Sequence, residues 1–106
     1  ALGAEVIAVP SAFTAVTGAA HFEILVRARA IENACFLVAA CQSGGHDSGR
    51  ETFGHSMVIS PWGEVLTCRE AGPGVFITTL DLQDLRRVRS ALPSWRRLTT
   101  VDRASV

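Results

Sequence analysis

The chain contains no lysine and no tyrosine, and it has no long apolar run. The missing lysine excludes any chemistry that needs an amine side chain within these 106 residues. No stretch approaches the roughly 20 apolar residues of a membrane-spanning helix, and none has the pattern of a cleavable secretory segment. We therefore expect no membrane partner and a cytoplasmic location, with the mitochondrion as the alternative.

Cysteine is scarce, with three residues and no CxxC spacing. An odd number without paired spacing is not typical of a disulfide framework and favours a reducing compartment. The three histidines also lack the paired spacing of zinc ligands. We expect neither a metal ion nor a cofactor.

Positive and negative side chains balance, with ten arginines against ten acidic residues. Six of the arginines fall between Arg86 and Arg103, but Asp81, Asp84 and Asp102 lie among or beside them. This mixture predicts a solvated helix face or a subunit contact rather than a phosphate-binding surface. We expect no nucleic-acid partner.

The first half of the chain has the pattern of two strands separated by a helix. Continuous apolar runs at residues 5–9 and 35–42 predict buried strands. The helix is predicted over about residues 19–33, with Thr17 as its N-cap. Two strands that flank a helix are expected to pair in parallel. The apolar stripe of this helix is predicted to consist of Ile24, Leu25, Ala28 and Ile31.

The second half predicts a meander followed by another helix. Residues 54–68 have the pattern of a hairpin that turns at Pro61 and Gly63, with Trp62 anchored on the core. Residues 75–81 predict a further strand, and Asp81 is expected to cap a helix that ends before Pro93. Two helices on a mixed sheet place the chain in the α/β (α+β) class.

Two pairs of residues could carry chemistry, and each also has a structural interpretation. Cys41 and His55 could form a nucleophile and its base, but Cys41 has the alternation of a small core residue. His46 and Asp47 could bind a metal, yet two ligands do not complete a shell of three or four. We favour the structural interpretation for both pairs.

The segment PSAFTAVTG follows the first strand and is the most promising part of the chain for a site. Loops at the carboxyl ends of parallel strands form the binding sites of many α/β proteins. Phe13 could supply a pocket wall, and Thr14 or Thr17 a hydroxyl. The alternative is a plain connection in which Thr17 only caps its helix.

Three blocks of the sequence resemble the nitrilase superfamily of carbon–nitrogen hydrolases. They are GAEVIAVPSAFTAVTGAAHFEILVRARAIEN, GHSMVISPWGEV and DLQDLRRVRSALPSWRR. The blocks occur in the same order and with similar spacing, and the resemblance extends over residues 1 to about 97. It is greatest to the branch of deaminated glutathione amidases.

This resemblance implies the C-terminal part of an α-β-β-α sandwich that pairs through helices into dimers. In the family, a cysteine forms a thioester with an amide or nitrile substrate, assisted by one lysine and two glutamates. Those four residues precede the segment that matches this chain, so the resemblance assigns no catalytic residue here. Phe13 and Thr17 match residues that line the substrate pocket.

We therefore expect residues 1–106 to be a partial hydrolase domain with a tail at 94–106. The expected function is that of a fragment of an enzyme that cleaves a small amide like deaminated glutathione, inactive when alone. Its partners would be the amide substrate and either a second copy or the N-terminal half of the domain. The alternatives are a non-catalytic truncated paralogue that pairs with a full-length subunit, and a thiol hydrolase that uses Cys41 and His55.

Overall fold

A mixed sheet carries two main helices in the computed structural model, which describes residues 3–93 and 95–96. This is the predicted fold class. No helix in this part of the chain combines the length and apolar character that crossing a bilayer requires. In chain order the elements are β1 (Val6–Ser11), α1 (Ala15–Thr17), a π-helical turn (Gly18–Phe22), α2 (Glu23–Asn33), β2 (Phe36–Cys41), β3 (Ser43–Gly45), β4 (Glu51–Phe53), β5 (Ser56–Ile59), β6 (Val65–Arg69) and α3 (Leu82–Ala91).

The main sheet has four strands in the order β1-β2-β5-β6. β1 and β2 run parallel, from the Val6–Phe36 pair to the Ser11–Cys41 pair. β5 pairs antiparallel with both β2 and β6. The predictions of a parallel pair around a helix and of a hairpin over residues 54–68 are therefore confirmed.

The hairpin turn between β5 and β6 is tight and packs against α2. Gly63 donates its N–H to the carbonyl of Ser60 at 2.9 Å, which closes the turn around a buried Pro61. Gly63 has a φ of +92°, and a Cβ there would lie 2.6 Å from Cδ1 of Ile31. Trp62 is 56% exposed, so its predicted role as a core anchor is wrong: the residues on either side of it occupy the buried positions.

The core lies between α2 and one face of the main sheet. The π-helical turn and α2 contribute one set of buried apolar side chains, and β2 and β5 contribute the other. Full burial of such a side chain is worth about 1.5–3 kcal/mol relative to exposure. The cluster consists of Phe22, Val26, Ala30, Leu37, Ala39, Met57 and Ile59.

The predicted apolar stripe of this helix is not the side that faces the core. Ile24 is 69% exposed, Leu25 45% and Ile31 46%, and Ala28 is only half-buried. Apolar residues occur on several sides of this helix, so their spacing alone does not decide which side packs. The structure buries Val26 and its neighbours instead.

The first helix also begins earlier than predicted. α1 starts at Ala15, because Thr14 has the extended φ and ψ (−64° and 151°) of an N-cap residue. Gly18 donates its N–H to the carbonyl of Thr14 at 2.7 Å, which closes the first turn. Thr17 therefore lies inside the helix, and its predicted role as N-cap is wrong.

α3 begins as predicted and ends before Pro93. The Asp81 carboxylate accepts a hydrogen bond from the N–H of Gln83 at 2.9 Å, which is an N-cap contact. Arg87 forms an ion pair with Asp84 on the exposed side of the helix. Most of the predicted tail at 94–106, including Arg97 and Arg103, lies outside the described residues.

Two segments differ from the sequence prediction. Residues 75–81 are not a strand: Val75 is 88% and Ile77 93% exposed, and the segment pairs with no strand of the described residues. The sequence SGGHDSGRET (residues 43–52) has the polar, glycine-rich composition of a loop, but it contains most of the β3–β4 hairpin. Residues 75–81 have the apolar pattern of a strand, but a strand needs a neighbouring strand that pairs with its backbone N–H and C=O groups.

Candidate functional site

The segment between β1 and α1 is fixed by an adjoining hairpin. The N–H of Phe53 at the end of β4 donates to the carbonyl of Phe13 at 2.9 Å, and an isolated bridge joins Thr14 to Thr52. These backbone contacts position the side chain of Phe13 at the carboxyl end of β1. In an α/β sheet this edge is the usual place for a ligand.

Phe13 belongs to a row of four aromatic rings. Its ring centroid lies 5.0 Å from that of Phe22, which lies 6.4 Å from that of Phe53. Phe53 in turn stacks on the imidazole of His55, with centroids 3.7 Å apart and planes within 3°. Offset or tilted ring pairs are favourable arrangements. The row connects the half-buried Phe13 to the core and limits its movement.

Thr17 is exposed, and its hydroxyl lies 2.7 Å from that of Thr14. The π-helical turn begins immediately after it, at Gly18. Single π-helical turns within helices are frequent at functional sites. The structure thus places Phe13 and Thr17 on one continuous segment, with the phenyl ring packed inward and the hydroxyl accessible.

Cys41 and His55 do not form a nucleophile and base. The backbone of Cys41 exchanges hydrogen bonds with the Ser56 hydroxyl at 2.9 and 3.3 Å. The ring Nδ1–H of His55 donates to the carbonyl of Phe53 at 2.9 Å. Burial raises the pKa of the Cys41 thiol, although its hydrogen bond with Ser56 acts in the opposite direction. A raised pKa disfavours the thiolate that a nucleophilic cysteine requires.

His46 does not pair with Asp47 in a metal site. Its Nε2 lies 2.9 Å from the hydroxyl of Thr52, and no group of three or more His, Cys, Asp or Glu residues within 3–93 and 95–96 is arranged to hold a metal ion. The short hairpin β3–β4 positions this histidine. The sequence pattern of residues 43–53 does not reveal that arrangement.

Gln42 is a candidate site residue that the sequence prediction did not include. It lies at the rim of three clefts of about 500, 400 and 320 Å³ around the carboxyl ends of β1 and β2. Its N–H donates to the carbonyl of Ser11 at 3.0 Å, and its carbonyl accepts from Gly54 at 3.0 Å. A signal was present, because Gln42 is the last residue of the strand that was predicted to run parallel to β1.

The sequence model of the family described as carbon-nitrogen hydrolase matches residues 1–90. Among curated proteins, deaminated glutathione amidase of Homo sapiens is 50% identical over 91 residues, which cover 86% of this chain and 28% of that protein. The chain thus spans less than a third of the length of this relative.

Solved structures show the same fold. The Caenorhabditis elegans NitFhit protein superposes with a TM-score of 0.75 at 40% identity, over 89% of this chain and 23% of that one. Nit3 of Saccharomyces cerevisiae, a member of branch 10 of the nitrilase superfamily, gives a TM-score of 0.80 at 31% identity, over 95% of this chain and 36% of that one.

Proposed function

The chain belongs to the carbon–nitrogen hydrolase family, and we propose that it forms the C-terminal portion of an amidase that cleaves a small amide such as deaminated glutathione. The activity of the complete protein is part of this proposal, because the chain spans only 28% of the human relative. In this role the chain supplies walls of the substrate pocket. The reacting groups come from elsewhere in the protein.

The observation that supports this role is the fixed segment after β1. Phe13 presents a phenyl ring that is restrained by Phe22, and Thr17 presents an exposed hydroxyl on the same segment. An apolar ring and a hydroxyl on one segment suit a small substrate that carries an amide and a short carbon chain. We propose that these two side chains contact the substrate.

The chemistry requires groups that this chain does not contain. In the thioester mechanism the cysteine sulfur bonds to the amide carbon, the C–N bond breaks, and the amine leaves after gaining a proton. Water then hydrolyses the thioester to release the carboxylate. This chain has no lysine to stabilise the oxyanion, and the pKa of Cys41 is shifted in the unfavourable direction.

A second candidate is a non-catalytic truncated paralogue that pairs with a full-length subunit. It is favoured by the exposed apolar side chains of the helical segment, where Val16 is 83% and Ile24 69% exposed. Exposed apolar residues along one continuous helical segment are typical of a contact with a second protein. The same surface would serve a homodimer in the first candidate.

A chimera separates these proposals. The matched 91 residues of human deaminated glutathione amidase would be replaced by the corresponding residues of this chain. We expect the chimera to hydrolyse deaminated glutathione and the isolated chain to show no turnover. An inactive but folded chimera would contradict the first candidate. Turnover by the isolated chain would contradict both.

The second candidate predicts a different result when the isolated chain is mixed with the intact human enzyme. A paralogue would form a stable mixed oligomer with the enzyme subunit and leave turnover per active site unchanged. A chain that only completes a catalytic domain would remain separate from an enzyme that is already complete. Size-exclusion chromatography with light scattering distinguishes the two results.

A further inference from the structure

The face of the main sheet that points away from α2 bears a cleft of about 500 Å³. Val38 pairs with Val58 and Val58 with Thr67, so these side chains share one face of the pleated sheet. Residues 72–78, here called the return segment, run beside this face, and the hydroxyls of Thr67 and Thr78 lie 2.6 Å apart. The cleft lies between the sheet face and the return segment. Its walls include Val38, Ala40, Ser56 and Arg69 from the sheet and Val75 and Phe76 from the return segment.

The backbone of the return segment holds the guanidinium of Arg69. Its Nε–H donates to the carbonyl of Gly72 at 3.4 Å, and its Nη2–H donates to that of Pro73 at 2.8 Å. Gly74 lies so close that a Cβ there would be 2.7 Å from Cζ of Arg69. The N–H of Gly72 donates to the Ser43 hydroxyl at 3.0 Å, which attaches the same turn to the neighbouring hairpin. Arg69 is therefore oriented by fixed backbone carbonyls.

These two contacts use only one edge of the guanidinium. Nε and Nη2 form the side edge, whereas Nη1 and the second N–H of Nη2 form the end edge, which matches the two oxygens of a carboxylate. Within residues 3–93 and 95–96, Nη1 of Arg69 has no hydrogen bond, and Arg69 forms no ion pair, not even with its neighbour Glu70. The lining residues of the cleft include no Asp, Glu or Lys. The cleft thus combines apolar walls with one uncompensated positive charge.

We propose that this cleft binds a monocarboxylate with an apolar body and that Arg69 is its anion contact. The carboxylate oxygens would accept from Nη1 and Nη2, and the apolar body would lie against Val38, Ala40 and Phe76. A cleft of this volume is within the range of small-molecule sites, and a single cation matches a single carboxylate. The lining includes neither Phe13 nor Thr17, so this site goes beyond the proposed amidase function and does not depend on it.

The test is a binding measurement on the intact chain. 3-Phenylpropionate is titrated into the ¹⁵N-labelled chain at about pH 7, where carboxylic acids are ionised, and the backbone amides of Ala40, Gly72 and Gly74 are followed. 3-Phenylpropionamide has the same apolar body without the charge, and acetate has the charge without the body. We expect saturable shifts with 3-phenylpropionate and roughly three- to thirtyfold weaker binding of either control compound.

Three variants separate the charge of Arg69 from its structural contacts. Arg69→Gln should weaken binding of 3-phenylpropionate roughly three- to thirtyfold. Arg69→Lys should restore part of the affinity, because lysine supplies the charge without the planar pair of donors. Arg86→Gln, at an exposed residue of α3, is the control and should leave the affinity unchanged.

Several outcomes would overturn the site: no saturable shift at the three amides in the unmodified chain, equal binding of 3-phenylpropionate and its amide, or undiminished binding in Arg69→Gln. Equal losses in Arg69→Gln and Arg69→Lys would also overturn it, because they would show that Arg69 only holds the return segment. None of these measurements involves turnover, so a failed carboxylate site is distinguishable from a failed amidase assignment.

Discussion

Gly18 and Phe53 approach so closely that no side chain fits between them. A Cβ on Gly18 would lie 2.3 Å from Cβ of Phe53 and 2.5 Å from its Cγ. The contact brings the π-helical turn against the end of β4, and Phe53 is also the residue whose N–H holds the carbonyl of Phe13. One glycine thus links helix packing to the candidate pocket wall.

Gly18→Ala should destabilise the chain by about 1–3 kcal/mol, the usual cost of overpacking. The direction of the change tests the contact, because replacing glycine by alanine at an open helix position would instead raise the free energy of unfolding by about 1 kcal/mol. Urea unfolding followed by circular dichroism measures the difference. Gly45→Ala is the control, since no atom lies within 4 Å of the added Cβ. Stabilisation by Gly18→Ala would contradict the contact.

The sequence contains enough information to predict much of this fold. The parallel pair β1–β2, the turn closed by Ser60 and Gly63, and the cap at Asp81 each depend on residues close in sequence or on a single repeated pattern. These local signals agree with the tertiary structure, which is why they were predictable. The mixed sheet with two helices follows from them.

The sequence predictions fail where contacts between residues distant in the sequence determine the structure. Val26 rather than Ile24 faces the sheet because the packing surface selects one of several apolar sides of the helix. The segment around Ile77 has the pattern of a strand, but no strand pairs with it within the described part of the chain. His46 acquires a defined orientation only through Thr52, and a contact of this kind has no sequence periodicity.

Arg89 should be the most important arginine for stability. Its guanidinium donates to the carbonyl of Ala34 at 2.9 Å and to that of Ala4, and it lies 4.5 Å from the centre of the Trp95 ring. Arg89→Ala removes one donor from each of these two carbonyls, so we expect a loss of about 1–3 kcal/mol in the free energy of unfolding.

The matched control is Arg86→Ala on the same helix, because Arg86 is exposed. Surface substitutions of this kind usually change stability by no more than about 0.5 kcal/mol. Thermal and urea unfolding of both variants gives the comparison. Equal losses in the two variants would show that Arg89 does not attach α3 to the segments around Ala4 and Ala34.

Cys41 should behave as a poorly reactive thiol. Burial raises its pKa in the folded chain, the hydrogen bond with Ser56 lowers it, and the proximity of Cys68 raises it. At a given pH the thiolate fraction is therefore below that of an unfolded cysteine, and the pH profile of alkylation by iodoacetamide should be displaced to higher pH.

Ser56→Ala removes the hydrogen bond that lowers the pKa of Cys41, so alkylation of Cys41 should become slower still near pH 8. Ser48→Ala, at an exposed residue, is the control. Mass spectrometry of the peptide that contains Cys41 measures the rate.

The folded thiol keeps its proton to higher pH than the unfolded thiol. The free energy of unfolding should therefore decrease as the pH rises above the unfolded pKa of about 8.5. Rapid alkylation of Cys41 at neutral pH would contradict this assignment and revive its interpretation as a nucleophile.

Thr17 and Thr14 allow a test of the substrate contact that separates binding from structure. Their hydroxyls hydrogen-bond to each other at 2.7 Å, so Thr17→Val and Thr14→Val each break the same bond, but only Thr17→Val removes the hydroxyl proposed to contact substrate. In the chimera we expect Thr17→Val to raise KM for deaminated glutathione roughly two- to tenfold. Thr14→Val should leave KM unchanged. An equal rise in KM in the two variants would show that Thr17 acts through its hydrogen bond with Thr14 and not through a contact with the substrate.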